Sequence, residues 1–274
     1  MMALFPLDVE YLVFTVNQSQ YGVPYFDVVS VMDIPNPTAI PHQPLEMRGV
    51  IPFREGSIPL FDLRVCFGLK ARTQETEELI TTMAQRKQDH INWVNNLKKE
   101  VLNNLPITVQ TDPHKCAFGK WYDQFHSDNA NLAAYMLRFD APHKQIHAVG
   151  TEITKLQNSG DYIACHTLLH RTENETLVRL LELFDGIADQ VRKYLLEYVI
   201  IFDKQGTLFG IVVDDINFFS LLLHIEHPLP HGLTSSGSDL IQALGRYRQD
   251  GGGERDVLLL DMERLLHQYD KIAA

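Results

Sequence analysis

The chain has 274 residues, 45% of them hydrophobic and 22% charged, and a formal net charge of −11. Those proportions allow a packed core in one large domain or two ordinary ones. The acidic balance argues against a nucleic-acid or anionic-membrane binder, since both need clustered Lys and Arg.

Cys66, Cys116 and Cys165 are an odd and sparse set, unlike a disulfide framework, and suit a reducing cytosol. No run of about 18 uncharged apolar residues occurs, so no membrane-spanning helix or membrane insertion is expected. The stretch from Met1 to Glu10 lacks the basic region and apolar run of a signal peptide. A cytoplasmic location is expected.

From Tyr11 to Leu69 the chain reads as strands. Tyr11 to Val16 is aromatic and β-branched, Asn17 to Gln20 is turn-like, and Tyr21-Gly22-Val23 opens the next run. Prolines at 35, 37, 41, 44, 52 and 59 forbid long helices. Val50 to Phe53 and Ser57 to Leu63 read as a hairpin, with its turn at Glu55-Gly56.

From Thr73 to Tyr198 the texture is helical. Glu75 to Asn103 has no Pro or Gly, and Leu79, Met83, Trp93, Val94, Leu97 and Val101 recur at helical intervals. Further helices are expected over Phe118 to Phe125, Leu132 to Leu137 and Asp140 to Gln157. Asp140 would cap the last of these, and Pro142 is tolerated in its first turn. Ser159-Gly160 breaks that helix. Leu177, Leu180, Leu181, Phe184, Ile187, Val191 and Leu195 then form one apolar stripe.

After Tyr198 strands return. Val199 to Phe202 and Leu208 to Val213 read as a hairpin turned at Lys204-Gln205-Gly206. Gly251-Gly252-Gly253 reads as a loop and Val257 to Leu260 as the last strand. Asp261 caps a final helix through Leu266. A helical block this long is an inserted domain, not a loop. The expected division is 1–72 and 199–274 for the interrupted β domain and 73–198 for the insert.

The insert holds four candidate metal ligands: His90, Cys116, His143 and His147. The last two are four apart, so their imidazoles share one helix face about 6 Å apart. One thiolate and three imidazoles make a closed four-coordinate set suited to Zn²⁺. His166 and His170 have the same spacing beside Cys165 and form a rival pair. Asp112 is a candidate partner for a ligand or a solvated loop carboxylate. His114 and His126 read as surface residues. Phe118, Trp93, Trp121 and Tyr122 read as bundle core.

Two family resemblances follow from these residues. Tyr11-Leu12-Val13-Phe14, Tyr21-Gly22-Val23-Pro24 with Asp27-Val28, and the run from Arg48 to Arg64 resemble CheW, the chemotaxis coupling protein. Pro52-Phe53 and the added Glu55 depart from the family pattern. Gly210 to Asp215 and Val257 to Leu266 resemble its second half. This resemblance implies an α+β chain with a pair of SH3-like five-stranded β-barrels. It also implies binding to the regulatory domain of a CheA-type histidine kinase and to the cytoplasmic tip of a chemoreceptor. Arg54 matches the turn arginine linked to partner contact, while Arg48, Asp62 and Arg64 read as fold determinants.

His90, then Cys116-Ala117-Phe118-Gly119-Lys120-Trp121-Tyr122, then Pro142-His143-Lys144-Gln145-Ile146-His147 with Gly150, resemble the chemoreceptor zinc-binding (CZB) domain. That resemblance implies a four-helix bundle, commonly a homodimer, holding Zn²⁺ through those four ligands. It associates the site with sensing of zinc or of oxidants such as hypochlorous acid. Three functions are weighed: a coupling scaffold with a built-in sensor, a structural adaptor in which zinc only staples the bundle, and a metal enzyme using His166, His170 and Glu173. The third lacks a nucleophile elbow, a phosphate-binding glycine loop and HExxH, so a non-enzymatic protein is expected.

Overall fold

The computed structural model describes residues 5–127, 129–229, 239–249 and 251–273, and for 268–273 the backbone alone. Two compact units emerge, one from residues 1–74 with 196–274 and one from residues 75–195.

The first unit is built of strands. β1 (Glu10–Val16) and β2 (Ser19–Pro24) form a hairpin whose turn residues Asn17 and Gln18 take φ of 45° and 69°. Then come β3 (Val28–Asp33), β4 (Met47–Phe53), β5 (Gly56–Asp62) and the short helix α1 (Leu63–Cys66). After the insert follow β6 (Tyr198–Lys204), β7 (Thr207–Val213), β8 (Asp215–Leu221), β9 (His224–Glu226), β10 (Ile241–Arg248) and β11 (Glu254–Leu260). Asp261 accepts the Glu263 N–H at 3.0 Å at the start of the final helix, which continues past Leu266 to Ala273.

Strand pairing corrects the expected pair of five-stranded barrels. One sheet has six strands in the order β8-β1-β2-β11-β10-β9, the other five in the order β3-β6-β7-β5-β4. Among the described residues no pairing joins the outer strands, so neither sheet closes. Each sheet also mixes the two flanks of the chain. β1 pairs with β8, β3 with β6, and β5 lies parallel to β7. The first flank therefore has no sheet of its own.

Period-two alternation makes the core. Leu12, Phe14 and Val16 of β1 join Ile200 and Phe202 of β6 and Ile211 and Val213 of β7 in one cluster. The alternate residues Tyr11 and Val13 enter a second cluster with β10 and β11, and Val199, Ile201 and Val212 enter a third with β4 and β5. Strands buried on both faces read as continuous apolar runs, as Val199-Ile200-Ile201-Phe202 does.

The β4–β5 turn falls one residue earlier than expected. Phe53 pairs with Gly56, so Arg54 and Glu55 form the loop, and Arg54 takes φ of 53°. Its exposed guanidinium lies 5.3 Å from the Phe53 ring centroid. The β6–β7 turn uses Gln205 at φ 54° and Gly206 at φ 86°, the doubly left-handed pattern that fits strand twist.

Two buried ion clusters tie the flanks together. Arg48 donates to Asp62 at 2.8 Å and to both Glu197 oxygens at 2.9 and 2.6 Å. Asp214 accepts from Arg64 at 2.6 Å, from Arg72 at 2.7 Å and from the Asn17 N–H at 2.8 Å. Asp62 also caps α1 through the Arg64 N–H at 3.0 Å.

The second unit is helical. Its elements are α2 (Arg72–Leu102), α3 (Ala117–Tyr122), α4 (Ala130–Leu137), α5 (Asp140–Asn158), α6 (Tyr162–Arg171) and α7 (Leu177–Tyr194), with α2 opening just before the unit boundary. A π-helical turn, Thr172–Thr176, runs α6 straight into α7. Asn129 caps α4 by accepting the N–H groups of Asn131 and Leu132, both at 3.0 Å. Asp140 does not cap α5. Phe139 stands at that position without a side-chain bond, and Asp140 instead pairs with Lys144 one turn on. Phe118, Phe139 and Phe184 meet in the core with Leu180, Ile187 and Val191.

Candidate metal centre

Four side chains from two helices and one helix cap converge in the helical unit. His90 comes from α2, Cys116 from the residue capping α3, and His143 and His147 from successive turns of α5. Their ligand atoms all lie within 4.8 Å of one another, and among the described residues they are the one His/Cys/Asp/Glu group of this kind. Donors on a single tetrahedral ion with bonds of 2.0–2.3 Å stand about 3.3–3.8 Å apart, so small side-chain rotations bring this set to bonding distance.

Local sequence places each donor. Gly119 gives Cys116 its position: a Cβ there would lie 1.8 Å from the Pro113 carbonyl oxygen, so only glycine lets the loop and α3 approach. The Gly119 N–H then donates to the Cys116 Sγ at 3.1 Å. The same sulfur stands 3.2 Å from His143 Nε2. On α5, the four-residue spacing sets His143 and His147 edge to face with ring centroids 4.8 Å apart.

Hydrogen bonds set the tautomers. His90 Nδ1 lies 2.7 Å from the Arg86 carbonyl, and His147 Nδ1 lies 2.7 Å from the Gln110 carbonyl. A carbonyl only accepts, so both Nδ1 atoms carry the hydrogen and both Nε2 atoms keep a lone pair. Those two Nε2 atoms are buried and have no hydrogen-bond partner within the chain. Buried polar atoms without partners are uncommon and call for an explanation, and a bound ion is one.

Burial also tunes the charges. It lowers the His90 pKa to about 4 and that of His143 to about 3, each aided by a neighbouring imidazole. It lowers His147 as well, against the pull of the Gln110 carbonyl. The three rings are therefore neutral and able to donate electron pairs at physiological pH. Burial raises the Cys116 thiol, with the Gly119 and Phe118 N–H groups partly offsetting it. Left to itself this cysteine is a thiol. A cation supplies what is missing, because a coordinating thiol is deprotonated. The donor set thus fits Zn²⁺: closed, soft-to-borderline, with tautomers already selected.

Asp112 is not brought onto a ligand. Its carboxylate accepts the His114 N–H at 3.0 Å and pairs with Lys115 at 3.2 Å. The partner that orients His147 is the backbone carbonyl two residues earlier, and the one that orients His90 is the carbonyl of Arg86. Neither has a signal in a sequence of side chains. The rival pair does not assemble: His166 and His170 are exposed on α6, Cys165 is buried, and Glu173 pairs with Lys98 at 2.8 Å. His114 pairs with Asp123 at 2.9 Å on the surface.

The family comparisons agree with this geometry. The CheW-like domain model matches residues 10–91, and the chemoreceptor zinc-binding domain model matches residues 90–154. The CheW-like match covers the first flank and runs on into α2, and it is the shared sheets that join residues 196–274 to that flank. The CZB match spans all four clustered residues. Among solved structures, the crystal structure of scaffolding protein TtCheW from Thermoanaerobacter tengcongensis is 14% identical, with a TM-score of 0.40, covering 92% of this chain and 88% of that one. No curated protein matches the chain. No helix among the described residues is long and apolar enough to cross a membrane.

Proposed function

We propose that this protein is a non-enzymatic, cytoplasmic chemotaxis scaffold whose inserted CZB domain holds Zn²⁺ through His90, Cys116, His143 and His147. The observation that carries the metal assignment is the pair of orphaned Nε2 atoms, buried beside a thiol and a third imidazole. Four protein donors fill a tetrahedral ion and leave no position for a substrate water, which speaks against hydrolysis. On the CheW-like side, the reading is a coupling protein that bridges the regulatory domain of a CheA-type kinase and a chemoreceptor tip. Arg54, exposed at the β4–β5 turn beside Phe53, is the proposed partner contact.

The zinc site is proposed to sense zinc or oxidant. Cys116 supports this, being half-buried while the three histidines are buried. Sensor cysteines need both thiolate character and access. Hypochlorous acid would convert a Cys116 thiolate to the sulfenic acid with release of chloride, and the oxidised sulfur would donate poorly to the ion. The second reading, zinc as a staple only, is favoured by the aromatic packing around the site, where Phe118 touches His90 and His143 at ring-centroid distances of 5.8 and 4.8 Å. Homodimerisation through the insert is also proposed, and the exposed Leu137, Ile163 and Val178 offer apolar surface for it.

Metal analysis of the purified full chain, with its mass measured under native conditions, tests the site and the dimer. One zinc per chain is expected, and a metal-free protein overturns the assignment. Receptor-coupled kinase activity, followed with and without a zinc chelator and with and without hypochlorous acid, separates sensor from staple. A response to neither leaves only the staple. Cys116→Ser separates them again: the sensor gives a folded protein with altered signalling, the staple an insert that fails to fold.

A further inference from the structure

The loop between α2 and α3 holds an arrangement that the four donors do not explain. The Gln110 carbonyl accepts two side-chain hydrogen bonds at once. One comes from His147 Nδ1 at 2.7 Å, the other from Trp93 Nε1 at 2.8 Å. A carbonyl oxygen has two lone pairs, so this acceptor is saturated. Trp93 belongs to α2, three residues from His90, and His147 belongs to α5. One backbone oxygen therefore pins both histidine-bearing helices to the segment that leads into Cys116.

The neighbouring contacts tighten the same joint. The Trp93 ring packs against His147 with centroids 5.2 Å apart. A Cβ on Gly150, one turn beyond His147, would stand 2.8 Å from the Thr111 methyl, 3.5 Å from a Val109 methyl and 3.6 Å from the Trp93 ring. Gly150 thus leaves the notch into which the loop settles. Further along, the Lys115 N–H donates to the Asp112 carbonyl at 3.1 Å, and the Pro113 carbonyl lies 3.3 Å from the Cys116 sulfur. The path from Gln110 to the thiol is short and bonded throughout.

We infer that Trp93 is a positioning residue of the metal centre: by holding the Gln110 carbonyl it fixes the tautomer and angle of His147 and the place of Cys116. This rests on the proposed metal site and deepens it. Sequence patterning gives Trp93 a core role only. The indole N–H adds a polar one, because a bulky ring alone would fill the same space without anchoring the loop. Partners that orient a ligand set metal affinity, and their loss typically costs about 10–100-fold.

The test measures zinc affinity of the full chain by chelator competition, with Co²⁺ as a spectroscopic probe of site geometry. Trp93→Phe keeps an aromatic ring and removes the donor. It is expected to weaken zinc binding by about 10-fold or more, keep one metal per chain and alter the cobalt bands. Trp121→Phe, an indole in the aromatic core, serves as the matched control and is expected to leave affinity unchanged. Gly150→Ala reaches the same joint from the other side and is also expected to weaken binding. Adding Thr111→Ser, which removes the obstructing methyl, is expected to restore it. Zinc affinity of Trp93→Phe equal to wild type overturns the inference. So does a Gly150→Ala defect that Thr111→Ser does not relieve. If the wild-type chain binds no zinc, the site assignment itself fails, which is a different result.

Discussion

The sheet unit and the helical unit both bury polar side chains, but they satisfy them by different means. In the sheet unit the buried groups are full charges, and each meets an opposite charge from the same unit: Arg48 with Asp62 and Glu197, Arg64 and Arg72 with Asp214. In the helical unit the buried groups are neutral imidazoles beside a thiol, and two of their nitrogens face no partner. The first arrangement sets charge against charge within the chain, though Asp214 Oδ1 has no hydrogen-bond partner of its own. The second leaves two donor atoms open, which the proposed zinc would fill. Buried ion pairs tie the two flanks of the sheet unit together, whereas the donor cluster suits the helical unit to a metal ion.

The comparison can be broken most severely at Arg48. Arg48→Ala leaves Asp62 and Glu197 buried without their counter-ion and should cost the sheet unit about 3–5 kcal/mol. Urea denaturation would register this, and zinc content should not change. Metal removal should act on the other unit alone. With free zinc a thousandfold above its Kd, binding stabilises the native insert by about 4 kcal/mol. A chelator should therefore lower the melting transition of the helical unit and leave that of the sheet unit in place, as calorimetry would resolve. Gly119→Ala sharpens the contrast, because its Cβ strikes the Pro113 carbonyl. A loss of about 1–3 kcal/mol is expected, together with weaker zinc binding. Removing the α4 cap by Asn129→Ala should cost about 1 kcal/mol. The smallest effect belongs to the exposed Lys144–Asp140 pair, where Lys144→Ala should cost about 0.3–0.5 kcal/mol or less. Chemical denaturation checks both.

The helical unit was the more legible of the two. Its long elements are bounded by Pro and Gly and carry strong periodicity, and the donors lie on recognisable spacings. The details that escaped are those that depend on space. Asp140 reads as a cap because a proline tolerated in a first turn stands two residues on, yet the helix begins at Asp140 and the carboxylate turns to Lys144. Gln110 and Arg86 act through backbone oxygens, which every residue has. In the sheet unit, hairpins could be read because their partners are adjacent. The pairings of β1 with β8 and β3 with β6 join residues far apart in the chain, and nothing local announces them. The pair of barrels is an expectation from the CheW resemblance, and the long-range pairings give instead two open sheets that each mix both flanks. The β4–β5 turn shifted for a smaller reason: Arg54 accepts a left-handed conformation that glycine would ordinarily be asked to supply.

Arg72 and Glu197 flank the insert, and each finds its counter-ion in the sheet unit. The seam where the foreign domain enters is thus welded on the host side. Excision of residues 75–195 with a short flexible bridge would take away none of these ion pairs and none of the three sheet clusters. The two ends of the sheet unit between which residues 75–195 run are thus held by contacts that the helical unit does not supply.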